Sequence, residues 1–443
     1  MLKIVNVKSL CLSITVLLIF VGPFAQAISK LSLDDALREA EASSPGYQAM
    51  RGALDSAKWK KIEGLSNFLP SVTAQAIRVL DYKYQTFDIV SATGTTTLPA
   101  IQPLTAASLN VYFPIFDGLA NLRRYRLGVD NESAADSDLK WSQFQLAQQV
   151  KLRFYSALAA VKLSEVAKQN VKTLEDHLQK TQVQKRGGVS TQFDVLRIEV
   201  QLSDARADEI QNNDNVEISK KYLLEILNLE TDDRELVGEL PAPVVGMIQG
   251  LKVPKPDSRA DVQAMLARDH ANLEVSKIAE LYWVPKIGLS YQYSFYNNRD
   301  NSVFDAQPYR NAWQLGLTLT WNIFDGMVSI AKNREAKADA FKSQKLVKQS
   351  LIHIPVEFEN WKRKFETASV NYKAKVLNVS RAQESVRLAQ EGYRAGTRTN
   401  SEVLDAELDL FRSRAGVVST QLNAEEALIN LESVIGRRIE SAK

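Results

Sequence analysis

Two copies of one pattern fill most of this chain, and the fixed distance between them limits what it can fold into. Ile-Phe-Asp-Gly occurs at residues 115–118 and again at 323–326, which is 208 positions later. The segment KRGGVSTQFDVL (185–196) aligns at the same offset with YRAGTRTNSEVL (393–404). Two separate motifs in one register indicate an internal duplication. We therefore predict one structural repeat over residues 28–240 and a second over 241–443.

Segments with a side-chain period of two precede both Ile-Phe-Asp-Gly motifs. In residues 313–323 every odd position is apolar, and the even positions are small or polar. This alternation is typical of a β-strand with one apolar and one polar face. We predict two such strands in each repeat, at about 71–85, 106–116, 286–296 and 312–324. The segments between them, about 86–105 and 297–311, are rich in turn-forming residues and are predicted to be loops.

Very long helices are predicted for the rest of each repeat. Between residues 119 and 185 there is no proline and one interior glycine, Gly128, and apolar residues recur at helical and heptad spacings. A helix of this length extends roughly 100 Å, which favours coiled-coil packing over a globular core. The predicted helices lie at about 119–185, 190–230, 327–394 and 398–435, with a kink or bulge at Pro355.

The first 27 residues are predicted to be a secretory signal peptide. Lys3 and Lys8 precede an apolar run, and Ala25-Gln26-Ala27 provides small residues before a cleavage point. The alternative is a retained transmembrane anchor, for which the apolar run is short. The one cysteine, Cys11, lies inside the apolar run and not after it, so this is not a lipoprotein signal. We expect an exported chain without cysteine and without a helical anchor.

Composition and motif content argue against several classes of function. The 55 Lys+Arg and 52 Asp+Glu nearly cancel, which gives no support for nucleic-acid binding. The histidines, His177, His270 and His353, are scattered without metal-ligand spacing. There is no phosphate-binding glycine loop and no Gly-x-Ser-x-Gly motif. We therefore expect no enzyme activity and no cofactor.

The predicted strands require an assembly of several chains. Four strands cannot close a barrel, and an open sheet with an apolar outer face is not viable in water or in lipid. Three chains would supply twelve strands, an even number within the range of outer-membrane barrels. The alternative is a soluble β-sandwich on a coiled-coil stalk. Aromatic residues near the strand ends favour interfacial girdles of a membrane barrel: Tyr82, Tyr84, Tyr293, Trp313, Trp321 and Phe324.

At this level the chain resembles the TolC family of outer-membrane efflux proteins, from about Leu31 to Arg437. The resemblance rests on YFPIFDG, on TWNIFDG and above all on YRAGTRTNSEVLDAELDLFRSR (393–414). It implies a mainly α-helical homotrimer with a shared twelve-stranded β-barrel in the outer membrane, continued by a helical coiled-coil tunnel across the periplasm of a Gram-negative bacterium. Outer-membrane lipid would surround the barrel.

The same resemblance implies a passive exit duct that is gated at its periplasmic end. It would pass small molecules or a type I-secreted protein received from a periplasmic adaptor and an inner-membrane pump or ABC transporter. The alternative function is a trimeric structural or adhesive surface protein whose helices form a stalk. Duplicated strand pairs favour the duct, because a simple stalk does not need them.

The resemblance also implies roles for residues near the two glycine turns. Glu402 and Asp405 match an acidic ring at the constriction, and Asp194, Tyr393 and Arg398 match links that hold the closed state. The alternative is that these are ordinary solvated residues of a helix surface. The hairpin tips that would contact the adaptor are Gly187, Gly188, Val189, Ala395, Gly396 and Thr397. A glycine there also suits the left-handed cap of the incoming helix.

Overall fold

The computed structural model describes residues 30–80, 86–99, 105–232, 234–297, 303–305 and 309–439. The predicted signal peptide, residues 1–27, lies outside this part of the chain, as do Tyr82 and Tyr84. The strands are β1 (Lys30–Leu31), β2 (Ser71–Arg78), β3 (Thr86–Ser91), β4 (Gly94–Pro99), β5 (Thr105–Phe116), β6 (Glu235–Leu236), β7 (Lys286–Asn297) and β8 (Tyr309–Thr320). The helices are α1 (Leu33–Ser43), α2 (Pro45–Ser66), α3 (Ala120–Arg186), α4 (Gln192–Leu227), α5 (Ala260–Ala279), α6 (Val328–Arg394) and α7 (Asn400–Ile435).

Four of the strands form one antiparallel sheet in the order β2-β5-β7-β8. The register places apolar residues opposite one another across the sheet: Val111 pairs with Tyr291, and Tyr291 pairs with Leu315. The neighbouring row is polar, because Asn110 pairs with Gln292 and Gln292 with Gln314. The alternation in each strand therefore adds up to one continuous apolar face and one largely polar face.

One predicted strand ends earlier than its sequence pattern indicates, and another can be compared only in part. The first is expected over 71–85; β2 ends at Arg78, and residues 81–85 lie outside the described part of the chain. The fourth was expected over 312–324, but β8 ends at Thr320. Lys286 is the last partner of β8, and the preceding residue, Pro285, has no N–H to continue the ladder. Trp321 instead turns its indole N–H to the carbonyl of Trp283, at 2.9 Å.

The predicted loop over 86–105 is wrong in part, because it contains a β-hairpin. Strands β3 and β4 pair antiparallel, and the Thr97 hydroxyl donates across the hairpin to the Asp88 carboxylate at 2.6 Å. Gly94 has a φ of 132°, which suits a tight connection. The turn-forming residues of this segment favour a loop, but the β-branched run Thr95–Thr97 favours a strand.

The long helices have the same boundaries in the two halves of the chain. Helices α3 and α6 each have 67 residues, and α4 and α7 each have 36. All four boundaries are displaced by the same 208 positions, for example Ala120 to Val328 and Gln192 to Asn400. The helix α6 continues through Pro355 without a break. Among the described residues, none of the helices combines the length and the apolar composition of a membrane-spanning segment.

The Ile-Phe-Asp-Gly motif is the passage from strand to helix. The last residue of the motif and the residue after it are both left-handed, Gly118 and Leu119 in the first copy and Gly326 and Met327 in the second. Glycine tolerates this conformation, whereas leucine and methionine are strained in it. The aspartate then accepts a backbone N–H of the new helix, from Asn121 to Asp117 at 2.7 Å, and likewise in the second copy. The motif repeats because both passages need the same turn and the same cap.

The helices lie side by side and not around a globular core. Near the sheet, α3 packs against α2 and α5, and α5 packs against α6. Farther away, α3 packs against α4 on one side and α7 on the other, and α7 packs against α6. Helices α4 and α6 are therefore the outer members of a four-helix row, and α3 and α7 are the inner ones. The hairpin turns between α3 and α4 and between α6 and α7 lie at the end of the row far from the sheet.

Candidate functional site at the tips of the helical hairpins

Each hairpin turn is closed by a left-handed glycine. Gly188 has a φ of 76° and Gly396 a φ of 73°. The next residue donates its N–H back to the last turn of the helix, from Val189 to the Gln184 carbonyl and from Thr397 to the Gly392 carbonyl, both at 2.9 Å. This is the hydrogen bond of a Schellman C-cap. The predicted tip residues therefore form two exposed, well-defined turns at one end of the molecule.

The outgoing helix of each hairpin starts with a capping box. Thr191 accepts the N–H of Asp194, and the Asp194 carboxylate accepts the N–H of Thr191 at 2.9 Å. Thr399 and Glu402 repeat the arrangement, with 2.8 Å from the Thr399 N–H to Glu402. Partial burial would raise the pKa of Asp194, but hydrogen bonds from Thr191 and Ser190 outweigh it and lower that pKa. The Thr399 N–H and Arg398 likewise lower the pKa of Glu402.

The two residues predicted for an acidic ring differ in their surroundings within the chain. Besides its capping role, Glu402 accepts a hydrogen bond from Arg398 Nη1 at 2.6 Å, and its side chain is 41% exposed. Asp405 is 65% exposed, and its carboxylate lies 3.8 Å from Arg197 Nη2. Arg197 also donates to the Ser401 hydroxyl, which links α4 to α7. Asp405 is therefore the freer carboxylate of the pair.

The three residues predicted as closed-state links do not contact one another in the described part of the chain. The Tyr393 hydroxyl donates to Gln184 Oε1 at 3.0 Å, which joins α6 to α3. Asp194 belongs to the first capping box, and Arg398 donates to Glu402 of the second. Tyr393 thus makes an inter-helix link, but its partner is an amide that the sequence did not single out.

A buried polar cluster that the sequence pattern does not predict lies behind the tips. His177 on α3 has one ring nitrogen, Nδ1, 2.9 Å from Glu407 Oε2 and the other, Nε2, 2.8 Å from Asn400 Oδ1. Gln390 on α6 donates to the second oxygen of Glu407 at 3.1 Å. His177, Asn400 and Glu407 are 8%, 3% and 5% exposed. The partners of His177 lie 223 and 230 positions along the chain, so no local pattern indicates the cluster.

A cleft of about 220 Å³ opens beside this cluster. Its walls come from α3, α6 and α7, and they include His177, Tyr393 and Glu407. In the described part of the chain, no group of three or more His, Cys, Asp or Glu side chains is placed to hold a metal ion. The arrangement has the character of a contact between helices, with polar side chains joining the two hairpins.

The family model described as outer membrane efflux protein matches residues 36–229 and 257–437 of this chain. Both matched segments contain a long-helix hairpin, and together they cover both copies of the repeat. Among curated proteins, the chain is similar to the alkaline protease secretion protein AprF of Pseudomonas aeruginosa. The two are 22% identical over 314 residues, which is 69% of this chain and 64% of the relative. The match thus spans less than two thirds of the relative's own length.

Solved structures of outer-membrane proteins have the same fold. The outer-membrane channel OprN superposes with a TM-score of 0.77 at 18% identity, over 91% of this chain and 89% of that one. The outer membrane protein VceC of Vibrio cholerae superposes with a TM-score of 0.75 at 15% identity, over 92% of this chain and 97% of that one. Sequence identities this low leave the fold as the shared property.

Proposed function

The chain belongs to the outer membrane efflux protein family, and from that premise we propose that three copies form a passive exit duct, gated at its periplasmic end. Membership confirms the resemblance to TolC-like channels, the fold class and the outer-membrane location. It also identifies the chain as a transport protein and not an enzyme. The alternative of an adhesive surface stalk is not favoured, since the family and the structural relatives are efflux and channel proteins.

The observation that carries the proposal is the open sheet. Strands β2 and β8 are its two edges in the described part of the chain, and each pairs with one neighbour only. The four strands alternate in direction, so β8 of one copy and β2 of the next can pair antiparallel. Three copies joined in this way supply twelve strands and leave no edge, which the bilayer requires. Strands β5, β7 and β8 each have 12 residues, a length that suits a tilted membrane strand.

The helical row supports the same head-to-tail assembly. Its outer members expose large apolar side chains, on α4 at Phe193, Val200 and Ile210 and on α6 at Ile352, Val356 and Val370. Exposed apolar stripes on helices of this length call for a helical neighbour. If α6 of one copy packs on α4 of the next, the three rows close into a tunnel below the barrel.

We infer the partners and cargo from the relatives. The family name supports efflux, and AprF is named for protein secretion. The cargo is therefore a small molecule or a type I-secreted protein. No nucleotide-binding motif occurs in the chain, so an inner-membrane pump or ABC transporter would supply the energy through a periplasmic adaptor. We propose that the adaptor contacts the two exposed turns at Gly187-Gly188-Val189 and Ala395-Gly396-Thr397.

The gate proposal concerns the same end of the row. Three copies of Asp405, reinforced by Glu402, would form an acidic ring that attracts cations. Tyr393, Arg398 and Asp194 would hold the helices in the closed state. The exposed carboxylate of Asp405 and the inter-helix hydrogen bond of Tyr393 support these roles.

Two measurements test the proposed function. Light scattering of the detergent-solubilised protein should give the mass of a trimer, and a stable water-soluble monomer would contradict the assembly.

In planar bilayers the trimer should conduct cations preferentially and be blocked by hexamminecobalt from the periplasmic side. Glu402→Gln with Asp405→Asn should abolish both the preference and the block while leaving the trimer intact. Tyr393→Phe with Arg398→Ser should raise the single-channel conductance. Unchanged reversal potential and unchanged block in the first variant would rule out the ring.

A further inference from the structure

The buried cluster around His177 joins both hairpins behind the tips. His177 lies on α3, Asn400 and Glu407 lie seven positions apart on α7, and Gln390 lies on α6. The Asn400 amide also contributes to the lowered pKa of Asp194 on α4, although its nitrogen does not complete a hydrogen bond there. One chain of polar groups therefore involves all four long helices at the end where we place the proposed gate.

The geometry favours one protonation state of the imidazole. Both ring nitrogens face oxygen atoms, a carboxylate oxygen at 2.9 Å and an amide oxygen at 2.8 Å. A neutral imidazole has one N–H and one acceptor nitrogen, so it can donate to only one of these oxygens. The imidazolium ion donates to both, and its hydrogen bond to the Glu407 carboxylate is charge-assisted.

A neutral His177 would have to disturb its neighbours. The free ring nitrogen needs a donor, and the nearest candidate is the amide of Asn400 after a half-turn. That rotation would bring the amide oxygen toward the Asp194 carboxylate, where two acceptors repel. The alternative is to leave an acceptor unpaired in a buried site, which is also unfavourable.

Groups of positive and of negative charge line the same cleft, and one further carboxylate is reached through Asn400. They are Asp176 and Lys180 on α3, Tyr393 and Arg394 on α6, Glu407 on α7, and Asp194 on α4 through Asn400. The pKa values of Asp194 and Glu402 are lowered, so both carboxylates stay ionised from mildly acidic to mildly basic pH. Among the residue types of the cluster, histidine is the one whose charge ordinarily changes in this range.

We propose that His177 is a positioning residue of the closed tip: as an imidazolium it fastens α3 to α7 and, through Glu407, to α6, and loss of its proton loosens this end of the duct. The sign follows from the donors. At low pH both hydrogen bonds are made and the closed arrangement is favoured; as the pH rises the proton leaves and one bond is lost. The inference rests on the proposed function, since it assigns a consequence to opening of the tips.

The test is the pH profile of the trimer in planar bilayers between about pH 6 and about pH 8 on the periplasmic side. For the unmodified protein we expect the ratio of open to closed channels to rise about tenfold over this range. His177→Gln keeps a polar side chain but cannot titrate, so its profile should be flat and its channels more open at the acidic end. His353→Gln is the matched control, because His353 is exposed on α6 and its ion-pair partner among the described residues is Glu357 of the same helix. It should retain the unmodified profile.

Hydrogen–deuterium exchange of the unmodified trimer gives a second measurement that needs no variant. After correction for intrinsic rates, the amides around residues 390–400 should lose protection between about pH 6 and about pH 8, whereas the strand amides should not. A His177→Gln variant that conducts with the unmodified pH profile would overturn the proposal, as would equal protection of the tip at both pH values. Failure to form any channel would instead contradict the proposed function, and the exchange result would still decide the role of His177.

Discussion

The two copies of the repeat share a backbone but use it for different purposes. Four left-handed positions recur at the same 208-residue offset, for example Gly188 with Gly396 and Asn228 with Gly436. Burial of the side chains does not recur in this way. Of the 36 residues in each outgoing helix, six are buried in α4 and fourteen in α7. Of the 67 in each long helix, seventeen are buried in α3 and ten in α6.

This difference follows from the position of each helix in the row. The inner helices α3 and α7 have neighbours on both sides within the chain, and the outer helices α4 and α6 have a neighbour on one side. One pair of equivalent residues illustrates the effect: Glu425 on α7 is half-buried, whereas Glu217, its equivalent on α4, is exposed. The duplication thus fixes turns and helix lengths, while the environment of equivalent side chains depends on which helices a copy contacts.

The largest expected effect concerns the ion pair between the inner helices. Lys151 on α3 donates to Glu432 on α7 at 3.0 Å, and the side chains are 15% and 4% exposed. Its equivalent in the second copy, Glu359, is exposed on α6. Lys151→Met leaves the Glu432 charge buried, with the Ile439 N–H as its remaining hydrogen-bond donor in the described part of the chain. We expect a loss of about 3–5 kcal/mol in the free energy of unfolding per chain.

Chemical denaturation of the variant measures this loss. Lys162→Met is the control, because Lys162 lies on the same helix in an exposed pair with Glu165. It should change the stability by less than about 0.5 kcal/mol. If the two substitutions lower the free energy of unfolding equally, the buried pair contributes no more to stability than an exposed pair. The difference in burial between inner and outer helices would then have no energetic consequence at this position.

The second prediction uses the two equivalent glutamates. Burial raises the pKa of Glu425 from 4.5 to about 7; Lys151 opposes this shift and Glu432 adds to it. Between these two pH values the folded chain binds more protons than the unfolded one, so stability falls as the pH rises. The loss amounts to up to about 3 kcal/mol above pH 7. Glu425→Gln should remove this dependence and stabilise the protein at about pH 8.

Thermal or chemical unfolding at a series of pH values measures the effect. The equivalent substitution in the first copy, Glu217→Gln, should leave the pH dependence unchanged, because Glu217 is exposed. If the free energies of unfolding of the Glu425→Gln variant and the unmodified protein differ by the same amount from about pH 5 to about pH 8, the Glu425 carboxyl is solvated.

The third prediction exchanges a small residue between the copies. Gly128 on α3 lies against α2, and a Cβ added there would be 2.7 Å from the Lys61 Cα. The equivalent residue in the second copy is the buried Ala336. Helix propensity alone predicts that Gly128→Ala stabilises by about 1 kcal/mol. Because the contact is with backbone, we expect instead a net destabilisation of about 1–2 kcal/mol from overpacking.

Ala336→Gly is the reciprocal variant, and it should lose about 1 kcal/mol through propensity and lost packing. Both opposite substitutions are thus expected to destabilise. If Gly128→Ala raises the unfolding midpoint, α2 and α3 are free to separate and the close approach in the first copy is not a constraint.

The sequence predicted the helices well because their ends are encoded locally. The Asp-Gly turn starts α3 and α6, the glycine at the tip ends them, and each of their four boundaries lies within one residue of the prediction. The strand ends were less predictable. Trp321 fits the alternation of apolar and polar residues, but the residue opposite it in the register is Pro285, which has no N–H to continue the ladder. That constraint comes from another strand, and periodicity within one segment does not include it.

The candidate site was predictable only where a local pattern exists. The glycine turns and the capping pairs Thr191–Asp194 and Thr399–Glu402 follow known turn and cap signatures. The link from Tyr393 to Gln184 spans 209 positions and the His177 cluster spans more than 220, so both depend on how the two hairpins dock. The roles of Glu402, Asp405, Asp194, Tyr393 and Arg398 in a gate stay predictions, because they concern faces shared between copies.

The last prediction asks whether the shared backbone also means equal local stability. Thr191→Ala and Thr399→Ala each remove the hydroxyl that caps a 36-residue helix. A lost N-cap costs about 1 kcal/mol, so amides in the first turns of α4 and α7 should exchange about fivefold faster. The two losses should be equal, because the hydrogen bonds of the two boxes agree in length within about 0.1 Å. Thr→Ser at each position retains the hydroxyl and should preserve protection. The contrary result is that hydrogen–deuterium exchange accelerates at one tip and slows or stays constant at the other. In that case the side-chain environments, and not the duplicated backbone, determine the local stability of each tip.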